Sequence, residues 1–258
     1  MRVRVSDQRG FSMPELLVAI AIIVVLIALL FPVVVRARSV SRSVRCLGTV
    51  AQWGHAFQMY QSATGGMSIA EPSNSVTAAR WWEVIEPYAG NSRLLLLCPD
   101  ATTARDGVVP PAAGSTPRSA SGSASHAWMC PTYSSGSPQY AIRGNFVGSY
   151  GFNSWLFHRQ RPGNASFVRF PPKGADRVPL IGDCADPWPL VSWTDRPPGN
   201  IQDPDPRQVG ELSSFCLDRH RRAVNIVFVD GHAEHVQLAE LWNLKWSGQF
   251  IPRTVVVP

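Results

Sequence analysis

Charged side chains are scarce in this chain: Asp, Glu, Lys and Arg together make up 16% of its 258 residues. Gly, Pro, Ser and Trp are plentiful instead, a composition that suits a loop-rich extracytoplasmic domain better than a soluble cytosolic enzyme. The five cysteines, Cys46, Cys98, Cys130, Cys184 and Cys216, include no C-x-x-C pair, which leaves a zinc knuckle or a thioredoxin-type site unsupported. There is no H-E-x-x-H, no G-x-S-x-G and no glycine loop that would cradle a phosphate, and no nucleophile stands beside a base. The expectation is a protein that is not an enzyme and needs no cofactor. No nucleic-acid module is present either. The net charge of +6 draws on Arg36, Arg38, Arg42 and Arg45, which follow an apolar run; such a cluster is read as contact with anionic lipid headgroups or as subunit packing.

What the chain does have is one long uncharged apolar stretch, LLVAIAIIVVLIALLFPVVV, from Leu16 to Val35. About 20 helical residues at ~1.5 Å rise span a ~30 Å hydrocarbon core, so a single membrane-spanning helix is expected. Glu15 stands at the edge of the run. A carboxylate buried there without a partner costs ~2.5–3.5 kcal/mol, which points to pairing with another chain or with the N-terminus. Pro14 falls where first-turn amides lack partners anyway, whereas Pro32 inside the run is expected to kink or locally melt the helix.

Gly10, Phe11, then Glu15 at the fifth place after the glycine, then the apolar run, resemble a type IV prepilin leader. The resemblance implies that prepilin peptidase cuts between Gly10 and Phe11 and N-methylates Phe11. Glu15 then becomes the fifth mature residue, and Pro32 the twenty-second, where many pilins carry a proline. Cutting places an ammonium on Phe11 about one helical turn from Glu15, and a neighbouring subunit's ammonium can pair with that carboxylate in a low-dielectric core. Two other readings stay open here: a secretory signal peptide with small-x-small sites such as Ala37-Arg38-Ser39, and an unprocessed one-pass anchor. A signal h-region of about 7–15 residues is shorter than this run and calls for neither Gly10 nor Glu15. The positive-inside tendency would keep the arginine cluster cytoplasmic; the resemblance implies the opposite orientation.

Beyond Pro32, Val33, Ala37, Val40, Val44, Leu47, Val50, Gly54, Phe57 and Tyr60 recur at spacings of three and four, one apolar helical stripe that ends near Ser62, before Gly65-Gly66. The two halves give about 50 helical residues, or ~75 Å. The first half is apolar all round and the second amphipathic, as on a sheet. His55 is read as a packed or surface histidine. Arg80 to Tyr88 is read as a short helix halted by Pro87, its Trp81 and Trp82 packing in the core rather than binding a sugar or lipid. Leu94 to Leu97 is expected as a brief buried strand leading to Cys98-Pro99-Asp100. The Ala-, Gly-, Ser-, Thr- and Pro-rich segment 101–125 is read as a flexible loop. Ser149 to Asn153 suits a strand and tight turn. Val178 to Asp183 reads as a strand with Pro179 at its first position or at an edge, and Asp186 to Gly210 as loop.

The second informative stretch is Asp218-Arg219-His220, nine residues, then Asp230-Gly231-His232. Val224, Ile226 and Phe228 share a face by period two, and Asp230-Gly231 between Asn225–Val229 and His232–Val236 signals a hairpin, with Asp230 in a type I′ turn. His220, Asp230 and Gly231 in this pattern resemble the C-terminal region of a group of prepilin-like proteins, as do the Cys46 helix, Cys98-Pro99 and Tyr150-Gly151. Asp183, His220, Asp230 and His232 are also candidates for a nitrogen-and-oxygen metal site or an acid–base pair, against a purely structural role in fixing the hairpin. Among the cysteines, Cys184 and Cys216 are expected either to pair across the C-terminal sheet or to serve as small buried apolar residues.

The expected fold is α+β: a long N-terminal helix, transmembrane and then amphipathic, packed on an antiparallel β-sheet. Its parts are a leader (1–10), a membrane helix (11–35), an amphipathic continuation (36–64) and an extracytoplasmic domain (65–258) with the 101–125 loop and a 220–236 hairpin. The resemblance implies a single-pass membrane protein, a pilin- or pseudopilin-like subunit of a type IV pilus or type II secretion-type filament. Its partners would be prepilin peptidase, other pilin subunits and membrane lipids, with no nucleic acid. The alternative is an anchored module that binds a glycan or a metal ion.

Overall fold

The computed structural model describes residues 13–69, 80–90, 93–104, 121–133, 142–157 and 170–258. The chain divides into two compact units, up to Ser41 and from Arg42 onward. Helix α1 is Met13–Ala63 and is continuous through Pro32, so the local melting expected there does not occur; the missing amide of one proline removes one bond from a long ladder. In the first unit the side chains from Leu16 to Val35 are exposed. Gly65 and Gly66, at φ 69° and 85°, end the helix in the left-handed region that glycine adopts without strain.

In the second unit α1 buries Cys46, Val50, Trp53, Gly54, Ala56 and Phe57. The buried stripe therefore starts at Cys46, not at the exposed Val40 and Val44. The stripe lies on a four-stranded antiparallel sheet in the order β3 (Tyr150–Phe152), β4 (Pro179–Asp183), β5 (Ala223–Phe228), β6 (Ala233–Gln237). The fold is thus α+β, a long helix on antiparallel strands. A separate two-stranded antiparallel sheet pairs β1 (Trp128–Tyr133) with β2 (Ile142–Gly148). Pro179 takes the first position of β4, which is an inner strand.

Strand β5 is buried along its whole length because it has a core on each side. Val227 packs into the layer that holds Trp53, Phe57, Trp81, Trp82, Phe152 and Ile181. Val224, Ile226 and Phe228 face a second core with Phe215, Leu241, Trp242 and Trp246. Trp81 and Trp82, in the short helix α2 (Trp81–Ile85), are fully buried. Edge-to-face contacts link Trp53 to Trp81 at 5.2 Å and Trp81 to Trp82 at 5.5 Å, an arrangement that adds about 0.5–1.5 kcal/mol per pair beyond area burial. Neither ring is open to a glycan.

Several expectations change. Arg93–Leu96 is a 3-10 turn rather than a strand: the Leu95 carbonyl accepts from Trp53 Nε1 and the Leu96 carbonyl from the Ser149 amide, so these groups serve other elements instead of a ladder. A short helix α3 (Pro206–Val209), capped by the Asp205 side chain, interrupts the 186–210 loop. The ends of the 101–125 segment are fastened: Ala101 bridges to Cys98, and Ser123 and Ala124 are buried. Residues 105–120 lie outside the described residues. Cys184 and Cys216 are both free thiols inside the second core, the apolar role rather than a disulfide.

Gly54 sets the closeness of helix and sheet. A Cβ built there would lie 2.4 Å from Cγ2 of Val227, a β-branched residue held on both sides. Alanine would normally improve a helix by about 0.8–1 kcal/mol over glycine, but forced overpacking costs about 1–3 kcal/mol and Val227 has little rotamer freedom. Gly54→Ala is expected to lower the urea midpoint of the detergent-solubilised chain, and the second change Val227→Ala to recover part of the loss. A rise in the midpoint for Gly54→Ala alone would contradict the packing.

Candidate functional site

Glu15 lies in the first turn of α1 and Pro32 inside it. Gly10 and Phe11, the expected cleavage pair, lie outside the described residues. α1 is long and apolar enough to cross a membrane, and its apolar window has no buried residue.

The other notable site is polar and buried. Cys46 arrives on the buried face of α1, four residues before Val50. Cys98 follows the 3-10 turn, held by the bridge to Ala101. Asp183 ends β4. His220 is placed by a reversal whose two inner residues, Arg221 and Arg222, have φ of 57° and 62°. Left-handed conformations of this kind cost roughly 1–2 kcal/mol per non-glycine residue. They are supported here by the His220 amide donating to the Ala223 carbonyl and the Arg222 amide donating to Asp218 Oδ1 at 2.6 Å.

The four side chains converge. One donor atom from each of Cys46, Cys98, Asp183 and His220 lies within 4.8 Å of all the others. Cys46 Sγ is 3.4 Å from each Asp183 oxygen, His220 Nε2 is 3.2 Å from Asp183 Oδ2, and Cys98 Sγ is 3.4 Å from His220 Nε2. Neighbours complete the arrangement. Tyr150 Oη is 3.3 Å from Cys46 Sγ. The Asn225 amide donates to Asp183 Oδ2 at 2.9 Å, and Arg219 Nη1 is 3.5 Å from Oδ1. On the far side of the imidazole, Nδ1 is 3.0 Å from Asp100 Oδ2, within ion-pair distance but off the line of a hydrogen bond, so this buried nitrogen makes none. Asp100 is itself paired with Arg42.

Burial alone would raise the Asp183 carboxyl and lower the His220 imidazole. The geometry reverses both: hydrogen bonding from His220, the charges of His220 and Arg219 and the Asn225 amide bring Asp183 down to about 2. Hydrogen bonds to Asp183 and Cys98 bring His220 up to about 10. Burial also works against ionising Cys98, yet hydrogen bonds from Cys46 and His220 lower its thiol below the usual value. Burial, with the Asp183 charge beside it, pushes the Cys46 thiol well above its usual value, so the pocket centres on the Asp183 carboxylate held between the His220 imidazole and the Arg219 guanidinium.

Of the metal candidates read from the sequence, Asp183 and His220 meet here. Asp230 and His232 do not: they pair with each other at 2.6 Å on the exposed hairpin loop. The turn is not type I′. Only Gly231, φ 96°, is left-handed; Gly231 N–H donates to the Phe228 carbonyl and Phe228 N–H to the His232 carbonyl, a three-residue loop with a glycine bulge. Cys46, Cys98, Tyr150 and Arg219 were not legible as site members. The Cys46 helix, Cys98-Pro99 and Tyr150-Gly151 carry the prepilin-like resemblance, but nothing local groups these residues into one site. His55 is exposed, as a surface histidine.

The chain spacing of the hairpin motif acquires a physical sense. His220 meets α1 at Cys46, and the Asp230 carbonyl accepts from Gln58 Nε2 at 2.8 Å. Twelve helical residues rise ~18 Å, and β5 with its flanks runs alongside that length. A side chain on Gly231 would strike Gln58, the built Cβ lying 2.1 Å from its Nε2.

Residues 5–31 match the family model described as the prokaryotic N-terminal methylation motif. No curated protein and no solved structure matches the chain. The motif, followed by a long apolar helix, supports a prepilin-like protein: a processed subunit of the pilin or pseudopilin kind, structural rather than enzymatic. It implies processing by prepilin peptidase and assembly with other pilins, and it is consistent with a single-pass membrane anchor.

Proposed function

We propose that this chain is a non-enzymatic pilin-like or pseudopilin subunit, major or minor, of a type IV pilus or a type II secretion-type filament. Prepilin peptidase cuts between Gly10 and Phe11 and methylates the new N-terminus. Residues 11–35 hold the protein in the membrane and then in the filament, residues 36–64 continue the helix, and the domain from residue 65 onward faces the extracytoplasmic side. What carries the reading is the methylation motif at residues 5–31 running directly into a helix that is exposed and apolar over Leu16 to Val35 and buries its next stretch on a sheet. A helix with two such environments suits a subunit that moves from lipid into a polymer. Glu15 supplies the electrostatic reason to assemble, since pairing with a neighbour's Phe11 ammonium offsets the cost of a carboxylate in an apolar setting.

Mass spectrometry of the mature N-terminus from membranes tests this. The expected first residue is N-methylated Phe11. A protein that retains Met1, or one that starts near Ser39, overturns the proposal.

A further inference from the structure

We propose that Cys46, Cys98, Asp183 and His220 form a closed structural site for one zinc-like divalent cation, which clamps the N-terminal helix to the sheet and to the start of the C-terminal hairpin. Two thiolates, one imidazole and one carboxylate are a donor set that suits zinc and disfavours calcium or magnesium, which take oxygen ligands. Around tetrahedral zinc, with metal–sulfur distances of about 2.3 Å and metal–nitrogen or metal–oxygen distances of about 2.0–2.2 Å, neighbouring donors stand ~3.3–3.8 Å apart. The spacings found, 3.2 Å for His220 to Asp183, 3.4 Å for Cys46 to Asp183 and 3.4 Å for Cys98 to His220, are close to the edges of that tetrahedron. The donors come from four separate parts of the chain and all four residues are buried. Hydrogen bonds can join them only in pairs, whereas a cation at the centre engages all four.

The surroundings match what orients metal ligands elsewhere. A ligating histidine commonly presents its other ring nitrogen to a carboxylate, and Asp100 Oδ2 stands 3.0 Å from His220 Nδ1 while Nε2 faces the cluster. The Tyr150 hydroxyl is placed to donate to the Cys46 sulfur, and the Asn225 amide and Arg219 hold Asp183. Four protein ligands with no open position make a structural centre rather than a catalytic one. The exchange balances in charge and protons: one dication enters while both thiols and the His220 imidazolium each release a proton, so the four ligands with the metal carry one negative charge, which the buried Arg219 guanidinium offsets. The clamp also assigns work to His220, the first residue of the His-x9-Asp-Gly pattern. His220 fixes one end of β5 against α1 through the metal, and the Asp230 carbonyl fixes the other through Gln58.

The main competing state is a Cys46–Cys98 disulfide, and the experiment separates the two. The full chain is purified in detergent without chelator and its zinc is measured by elemental mass spectrometry, with the expected content near one ion per chain. Cys98→Ser and His220→Ala are expected to lose the ion, and Cys216→Ala, whose thiol lies in the second core, to retain it. Asp100→Asn is expected to keep the fold and weaken the affinity measured by chelator competition about 10–100-fold. Should the ligand variants fail to fold, wild-type protein reloaded with cobalt still decides: a sulfur-to-metal charge-transfer band with intense tetrahedral ligand-field bands supports the site. Wild-type protein that carries no metal and shows no such bands after reduction and cobalt addition overturns the proposal, as does a Cys46–Cys98 disulfide in the natively purified chain.

Discussion

Arg219→Met is expected to destabilise the folded domain by about 3–5 kcal/mol, because it removes one partner of a buried charge cluster and leaves the others in place. The guanidinium is wholly buried. Its Nη1 donates to the Ser149 carbonyl at 2.5 Å and its Nη2 to the Ser123 carbonyl at 2.9 Å, with longer contacts to the carbonyls of Cys184 and His126. Methionine fills much of the volume but donates nothing, so several buried carbonyls and the Asp183 carboxylate lose a donor. Each buried acceptor left unsatisfied costs about 1–3 kcal/mol. Lysine keeps the charge but not the planar fork that spans these carbonyls, so Arg219→Lys should recover only part of the stability. The readout is the urea midpoint of the solubilised chain, with Arg177→Met as the comparison; Arg177 makes an exposed bond to the Asn243 carbonyl, and its loss should stay within about 1 kcal/mol. Equal midpoints for the two methionine variants would show that Arg219 does not organise the core.

How far this arrangement was visible beforehand depends on the kind of signal. The apolar half of α1 and the hairpin are legible because each rests on a local pattern: an unbroken apolar run, and two strand-like segments around Asp230-Gly231. Period two also placed Val224, Ile226 and Phe228 on one face, but it did not show that β5 is buried on both sides, since the alternate residues Asn225 and Val227 read as an ordinary mixed face. Burial there comes from α1, more than 160 residues away in the chain. The run Leu94 to Leu97 reads as a strand although Arg93–Leu96 is a 3-10 turn, for the same reason: four apolar residues carry no period, and what decides their conformation is which distant donors claim their carbonyls.

The polar cluster was half legible. His220 and Asp183 drew attention as titratable residues near strand ends. Asp230 and His232 follow His220 closely in the chain, yet in a hairpin the loop and the strand's far end lie at opposite ends of β5. The residues that do join His220 come from positions 46 and 98, where a lone cysteine without C-x-x-C spacing carries no local mark of metal or hydrogen-bond chemistry. The left-handed Arg221 and Arg222, which turn His220 inward, were likewise hidden, since arginine is not a residue whose presence announces that backbone conformation.

Glu15→Ala is expected to leave membrane insertion intact and to abolish co-assembly. The two readings of the helix give opposite signs for this change, which is why it discriminates. If α1 is only an anchor, a carboxylate at the edge of its apolar run is a cost of up to ~2.5–3.5 kcal/mol, and alanine makes the helix a slightly better anchor with no other consequence. If the chain assembles, the same carboxylate offsets a second buried charge, the ammonium released on Phe11 of a neighbour, and removing it leaves that ammonium without its counter-charge in an apolar filament core. Breaking such a pair costs about 3–5 kcal/mol at each subunit contact, and in a polymer the penalty recurs with every subunit added. Glu15→Asp, which keeps the charge but draws it back by one methylene, should assemble at a reduced yield. The measurement compares the membrane-bound fraction with the sheared or cross-linked polymer fraction, after the mature N-terminus has been verified so that failed cleavage is not mistaken for failed assembly. Polymer yield unchanged in Glu15→Ala would remove the role assigned to the carboxylate and return α1 to a plain anchor.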